Sequence, residues 1–257
     1  HEPYVLAGFP RSGTTLLDNA LSAHVDVYLI EESSAFHQTY GFLRRQFGGI
    51  PTEPGGQSKF LKLHRQYYLK NLLRRCSINE KRVVIDKTPI LSSEAIYLSR
   101  LLPDARFIFL IRHPFDVVLS NFKQVYKQNK AMAQFNSLHQ ACLFYDYAMS
   151  KWFEVFPGDT DRICYVYYDE LVTKFEATVR RVIDFLGVDW DDSVLNFTEH
   201  SKKRAARTPS YANVRKGLSL GVQSSYQNYL FLFDDYCRGK LDPWVQWFGY
   251  TVEGPEK

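Results

Sequence analysis

Gly8-Phe9-Pro10-Arg11-Ser12-Gly13-Thr14-Thr15 joins a short apolar run, Tyr4–Ala7, to a segment, Thr15–His24, whose Leu16, Leu17, Ala20 and Leu21 share one helical face. Strand, glycine-bearing turn and helix start, in that order, make an anion site. Glycines let the backbone come close to a ligand, successive N–H groups point into the turn, and the helix start adds partial positive charge. Arg11 brings a full cation into the same turn, and Thr14 and Thr15 bring hydroxyls. The competing reading is a bare strand–turn–helix whose glycines serve packing.

The same alternation continues outward from the loop. Val27–Ile30, Arg82–Asp86, Arg106–Ile111 and Ile163–Tyr167 read as strands. Phe107-Ile108-Phe109-Leu110-Ile111 is an unbroken apolar run, as expected of a strand covered on both faces. Lys59–Cys76, Phe115–Lys127, Leu138–Phe156 and Lys174–Leu186 carry helical patterns. Strands alternating with helices predict an α/β fold: three layers, with a central parallel sheet flanked by helices. The pattern runs without a break over residues 1–257, which predicts a single domain. Gly48–Gly56, with four glycines and two prolines, reads as a surface loop inside it.

Composition fits a globular chain: 257 residues, 45% hydrophobic, 23% charged. These values exclude a disordered or collagen-like protein. The 17 Tyr and 19 Phe predict a large core and aromatic-lined pockets. A net charge of +4 does not by itself demand nucleic acid. Cys76, Cys142, Cys164 and Cys237 stand far apart, without zinc spacing, and read as reduced thiols. No apolar run approaches the roughly 20 residues of a membrane span, and no signal peptide is visible, so a cytoplasmic protein is expected.

The loop has the spacing of the nucleotide P-loop, G-x-x-x-x-G-K-[ST], with Thr14 where the Lys belongs. Losing that Lys removes the bridge between the β- and γ-phosphates and favours a single 5′-phosphate-type group. Arg112 follows the Arg106–Ile111 strand, and Ser120 comes eight residues later on the next helix. An Arg at a strand's C-terminal end and a Ser on the following helix can grip one anion at the crevice where open α/β sheets bind ligands. Taken alone, Arg112 serves equally well in a structural salt bridge.

Pro10-Arg11-Ser12-Gly13-Thr14-Thr15, Arg112…Ser120 and Tyr167-Tyr168-Asp169-Glu170-Leu171 together resemble the sulfotransferases that use 3′-phosphoadenosine-5′-phosphosulfate (PAPS). The resemblance runs from Tyr4 to about Tyr250 and is closest to the branch of protein-tyrosine sulfotransferases and bacterial, helical-repeat-fused sulfotransferases. It implies a P-loop-like fold and sulfuryl transfer to an acceptor hydroxyl, with adenosine 3′,5′-bisphosphate (PAP) as product. Arg11, Ser12, Gly13, Thr14 and Thr15 are implied to hold the 5′-phosphosulfate, Arg112 and Ser120 the 3′-phosphate. Tyr168, or its neighbour Tyr167, is implied to meet the adenine. Ser210 and Lys216 match the family segment that closes over the donor.

Sulfuryl transfer needs a base for the acceptor hydroxyl and cations for the sulfuryl oxygens and the leaving phosphate. The resemblance implies that Glu32, 21 residues after Arg11, is the base. Chemistry alone does not separate Glu31 from Glu32 as the base; the register favours Glu32 and leaves Glu31 to orient a basic residue, and a solvated acidic turn is the plainer reading of the pair. Lys87, in Asp86-Lys87-Thr88-Pro89, matches a family Lys implied to stabilise the leaving group with Arg11; the plainer reading pairs it with Asp86. Ser201–Lys216, with Lys202, Lys203, Arg204, Arg207, Arg215 and Lys216 and no acidic residue, reads as a solvated face, a polyanion patch or a funnel for an anionic donor. His113 reads as structural, while His24, His37 and His64 stay open as auxiliary bases. The resemblance implies no metal, since Lys and Arg stand where Mg²⁺ sits in triphosphate sites.

Two positions depart from the tyrosine-enzyme pattern: Ser34 and Gln124 each stand where that branch has Arg. The expected acceptor is therefore a hydroxylated small molecule, with no nucleic-acid or membrane partner. Alternatives are tyrosine O-sulfation of a peptide, a P-loop nucleotide kinase variant, and a non-catalytic polyanion binder.

Overall fold

A computed structural model describes residues 2–31, 35–49, 54–74, 83–126, 132–158, 161–197 and 225–252. Five strands, β1 (Tyr4–Gly8), β2 (Val27–Glu31), β3 (Val83–Lys87), β4 (Phe107–Ile111) and β5 (Ile163–Tyr167), form one parallel sheet in the order β2-β3-β1-β4-β5. The helices between them are α1 (Thr14–Ala23), α2 (Ala35–Gln46), α3 (Pro54–Leu73), α4 (Ala95–Leu101), α5 (Pro114–Phe122), α6 (Leu138–Val155), α7 (Tyr168–Thr173), α8 (Phe175–Leu186) and α9 (Asp235–Trp247).

Alternation along each strand divides the core in two. Val5 and Ala7 of β1 and Phe107, Phe109 and Ile111 of β4 face one apolar layer, with Leu72 of α3, Leu98 of α4, Phe115 of α5, Trp152 of α6 and Leu241 of α9. Leu6, Ile108 and Leu110 face the other, against Leu17 and Leu21 of α1 and Val179 and Ile183 of α8. Every β4 residue is buried, because both faces of that central strand are covered. Phe109 stacks on Trp152 with ring centroids 4.1 Å apart.

The predicted strands stand close to their expected bounds, and the helix expected over Phe115–Lys127 ends at Phe122; two further differences concern the helices. Residues 54–56 are not loop: Pro54 opens α3, a first-turn position that tolerates its missing N–H. The long segments between strands also hold helices that the apolar pattern leaves unmarked. Gly41 lies inside α2, and α9 contains Gly239 and Pro243. Among the described residues no helix is long and apolar enough to cross a membrane.

The strand order places a topological switch between β1 and β4. The chain leaves β1 toward one edge of the sheet and leaves β4 toward the other, so their C-terminal ends open into a crevice. Both anion-binding segments predicted from sequence start there.

His64 of α3 is enclosed by Phe36 and Tyr40 of α2, Phe60 of α3 and Tyr97 of α4. Its Nε2–H donates to the Phe36 carbonyl (3.0 Å) and its Nδ1 accepts from the Tyr97 hydroxyl (2.8 Å), so both ring nitrogens are engaged. Burial lowers its pKa from the usual 6.5 to about 4. A depressed His binds more protons unfolded than folded, so its contribution weakens as pH falls through 6.5 toward 4. Denaturant unfolding is expected to show about 1 kcal/mol less stability from this group at pH 5.5 than at pH 7.5, a dependence that His64→Gln removes.

Candidate active site

The turn after β1 has the only non-glycine positive φ among the described residues: Arg11, at 71°. Its carbonyl is turned to accept Arg112 Nη1 at 3.3 Å, and such left-handed strain gathers at ligand sites. Gly8 (φ 142°) and Gly13 (φ 108°) hold conformations that L side chains rarely adopt. A Cβ on Gly13 would fall 2.5 Å from the Tyr168 ring, so the missing side chain lets helix α1 seat against that ring. Gly13 caps α1 without a side-chain hydrogen bond, which leaves the first amides of the helix facing the turn.

The loop is wired to the segment after β4. Arg11 Nε donates to Ser120 Oγ at 3.1 Å across 109 residues of sequence. Asn121 Nδ2 donates to the Pro10 carbonyl (2.8 Å), and Tyr126 O–H donates to Asn121 Oδ1 (2.7 Å). Arg112 is buried, lies over the Tyr168 ring at 4.5 Å and pairs with Asp116 at 3.7 Å. Asp116 also accepts from Ser225 Oγ (3.0 Å) and the Tyr226 amide (3.1 Å). Arg11, Ser12, Gly13, Arg112, Ser120 and Tyr168 thus surround one crevice. Of the adjacent tyrosines, Tyr168 is the one against Gly13 and Arg112. Burial lowers the Arg11 pKa, with Arg112 adding to the effect.

Lys87 closes the third side. Its Nζ is bound by Asp18 Oδ2 (2.8 Å) and Glu31 Oε1 (2.9 Å) and lies 3.5 Å from Thr15 Oγ1, with the side chain 1% exposed. Parallel register sets Glu31 beside Lys87, and strand alternation turns both toward α1, where Asp18 lies one turn beyond Thr14 and Thr15. The neighbouring Asp86 faces the opposite layer and accepts from Tyr68 O–H at 2.6 Å. The plain Asp86–Lys87 pairing is therefore replaced by a buried triad. Sequence reasoning missed Asp18, although its i+3/i+4 spacing from the loop threonines was a usable signal, and missed Asn121, whose neighbour Ser120 was already in view.

Glu32, Ser210 and Lys216 lie outside the described residues, as does the basic stretch 201–216. The histidines resolve differently. His24, at the C-terminal end of α1, is held by the Asp189 carbonyl and the Asp26 amide, away from the loop. His64 is consumed by its cage. His113 stacks on Tyr226 at 4.2 Å and bonds the Thr251 carbonyl, a packing role.

The crevice offers helix-start amides, two guanidinium groups, an ammonium and hydroxyls, which suits an anion with two separated charged groups. A bound phosphate fits these residues: Ser12 Oγ is buried with no hydrogen-bond partner among the described residues.

Known proteins resemble the chain in sequence and in fold. The family model described as "Sulfotransferase family" matches residues 3–192. Protein-tyrosine sulfotransferase 2 of Gallus gallus is 26% identical over 209 residues, covering 76% of this chain and 53% of that protein. The chain spans 31% to 56% of the length of the curated relatives it matches. The sulfotransferase domain from the Synechococcus PCC 7002 olefin synthase superposes with a TM-score of 0.67 at 21% identity, covering 98% of this chain and 96% of that one. Mouse sulfotransferase SULT7A1 complexed with PAP superposes with a TM-score of 0.52 at 17% identity, covering 95% and 83%.

Replacing Lys87 leaves two buried carboxylates without their cation. Lys87→Met is expected to lower unfolding free energy by about 3–5 kcal/mol in denaturant titrations. Adding Asp18→Asn should recover part of that loss, because it removes one of the stranded charges. A Lys87→Met chain as stable as wild type contradicts the triad.

Proposed function

The chain belongs to the sulfotransferase family, and from that premise we propose that it transfers the sulfuryl group of PAPS to an acceptor hydroxyl, releasing PAP. The supporting observation is the direct contact between two segments far apart in sequence, Arg11 with Ser120 and Arg112 with the Arg11 carbonyl. Each segment suits one phosphate-type group, and PAPS carries two at fixed separation. The PAP in the mouse relative's crystal agrees with the reading.

The donor supplies a sulfuryl group on a phosphate leaving group. The amides of residues 12–15 and the Arg11 guanidinium hold its 5′ end, and Arg112 with Ser120 holds the 3′-phosphate. Tyr168 offers a ring face to the adenine, and the resemblance assigns Ser210 and Lys216 to the donor. Lys87, kept against Thr15 by Asp18 and Glu31, meets charge that develops on the sulfuryl and leaving oxygens, so that attack proceeds in line. Glu31 is already spent on Lys87, which leaves Glu32 to take the acceptor proton.

For the acceptor we favour a hydroxylated small molecule, since Ser34 and Gln124 stand in place of two arginines of the tyrosine enzymes. Tyrosine O-sulfation of a peptide is the second reading, favoured by the relatives at 26–27% identity.

Calorimetry should detect PAP binding without divalent cation, weakened at least tenfold by Arg11→Ala or Arg112→Ala; preference for ATP–Mg²⁺ points to a kinase variant instead. Steep salt-dependent oligonucleotide binding that ignores Arg11→Ala points to a polyanion binder. With labelled PAPS and a panel of phenols, alcohols and acidic tyrosine peptides, Glu32→Gln should lower turnover by about 10²–10⁴. Full turnover in that variant removes Glu32 from the base role.

A further inference from the structure

We propose that His139 and Cys142 on α6, with Asp234 and Cys237 at the start of α9, form a binding site for one thiophilic divalent cation of the Zn²⁺ type. The four residues form two pairs, His-x-x-Cys and Asp-x-x-Cys: His139 and Cys142 share a face of α6 at i, i+3, and Asp234 is the N-cap whose side chain accepts the Cys237 amide at the start of α9. The pairs lie far apart in sequence, so no zinc spacing shows there; packing of α9 on α6 joins them.

Ligand atoms of His139, Asp234 and Cys237 lie within 4.8 Å of one another, and His139 Nε2 is 2.7 Å from Asp234 Oδ2. The Cys142 side chain interacts with the Cys237 thiol, and we add it as a fourth donor to the three that converge. Asp234 is already oriented: its Oδ1 accepts the Cys237 amide at 3.0 Å, leaving Oδ2 toward His139. One imidazole nitrogen, one carboxylate oxygen and two sulfurs are a donor set that tetrahedral zinc accepts.

The burial pattern suits entry and retention. Both cysteines are fully buried, while the His139 and Asp234 side chains are more than half exposed, at 56% and 54%. A cation therefore reaches the outer pair from water and is held by the inner one. Binding replaces the two thiol protons, which pass to solvent, and His139 coordinates neutral through Nε2, so affinity rises with pH. The bound cation would fasten α9 to α6 just beyond the segment whose Ser225 and Tyr226 brace Asp116 beside Arg112.

Cobalt is the probe. Fully reduced protein titrated with Co²⁺ should take up one equivalent, with visible bands of tetrahedral cobalt and near-ultraviolet thiolate-to-metal charge transfer, all displaced by Zn²⁺. Cys237→Ser should diminish the charge transfer. His139→Ala, at an exposed position that spares the core, should weaken uptake at least roughly tenfold, since even outer-shell losses cost 10–100-fold. Cys164→Ser on β5 should leave the spectrum unchanged. Absence of these bands, or bands untouched by both His139→Ala and Cys237→Ser, overturns the site. So does a native Cys142–Cys237 disulfide whose reduction yields no cobalt uptake.

Discussion

The ammonium group of Lys87, sealed between the carboxylates of Asp18 and Glu31, is the constraint around which the crevice is arranged. Taking three charges out of water is costly, and their mutual attraction offsets that cost only when each is hydrogen-bonded in place. The triad therefore says more about position than about stability. It ties the ends of β2 and β3 to the first turns of α1, so that the cation, the Thr15 hydroxyl and the loop amides come to one point. The triad fixes the ammonium beside the Thr15 hydroxyl, and Arg11 and Arg112 bring two further cations to the crevice.

Around that point the sheet does the rest. The strand order opens a gap at the ends of β1 and β4, and each strand is followed by an arginine-bearing turn. Arg11 accepts a left-handed backbone because its carbonyl is held by Arg112, and Arg112 is in turn held by Asp116 and the Tyr168 ring. The strain in one motif is thus sustained by the other. Such mutual support is how a fold keeps a binding loop in shape before a ligand enters.

The fold was legible in the sequence wherever a strand had both faces covered. Phe107–Ile111 is a pure apolar run, and Ile163–Tyr167 took its expected bounds. Helices α2 and α9 were not legible, because Gly41, Gly239 and Pro243 break their patterns and tertiary packing outweighs the local cost. At the site, residues with a motif around them, such as Arg11, Arg112 and Ser120, were visible. Asp18 and Asn121 were not, since their value comes from what parallel register and helix packing bring beside them. The Asp86–Lys87 pairing suggested by adjacency failed for a geometric reason: neighbours on a strand face opposite layers. The convergence of His139, Asp234 and Cys237 was hidden for the same kind of reason.

The most direct test is a crystal structure of the chain with adenosine 3′,5′-bisphosphate. The account predicts the 5′-phosphate on the amides of residues 12–15 beside Arg11 and Lys87, and the 3′-phosphate against Arg112 and Ser120. A nucleotide seated elsewhere, or one whose 3′-phosphate meets neither Arg112 nor Ser120, contradicts it.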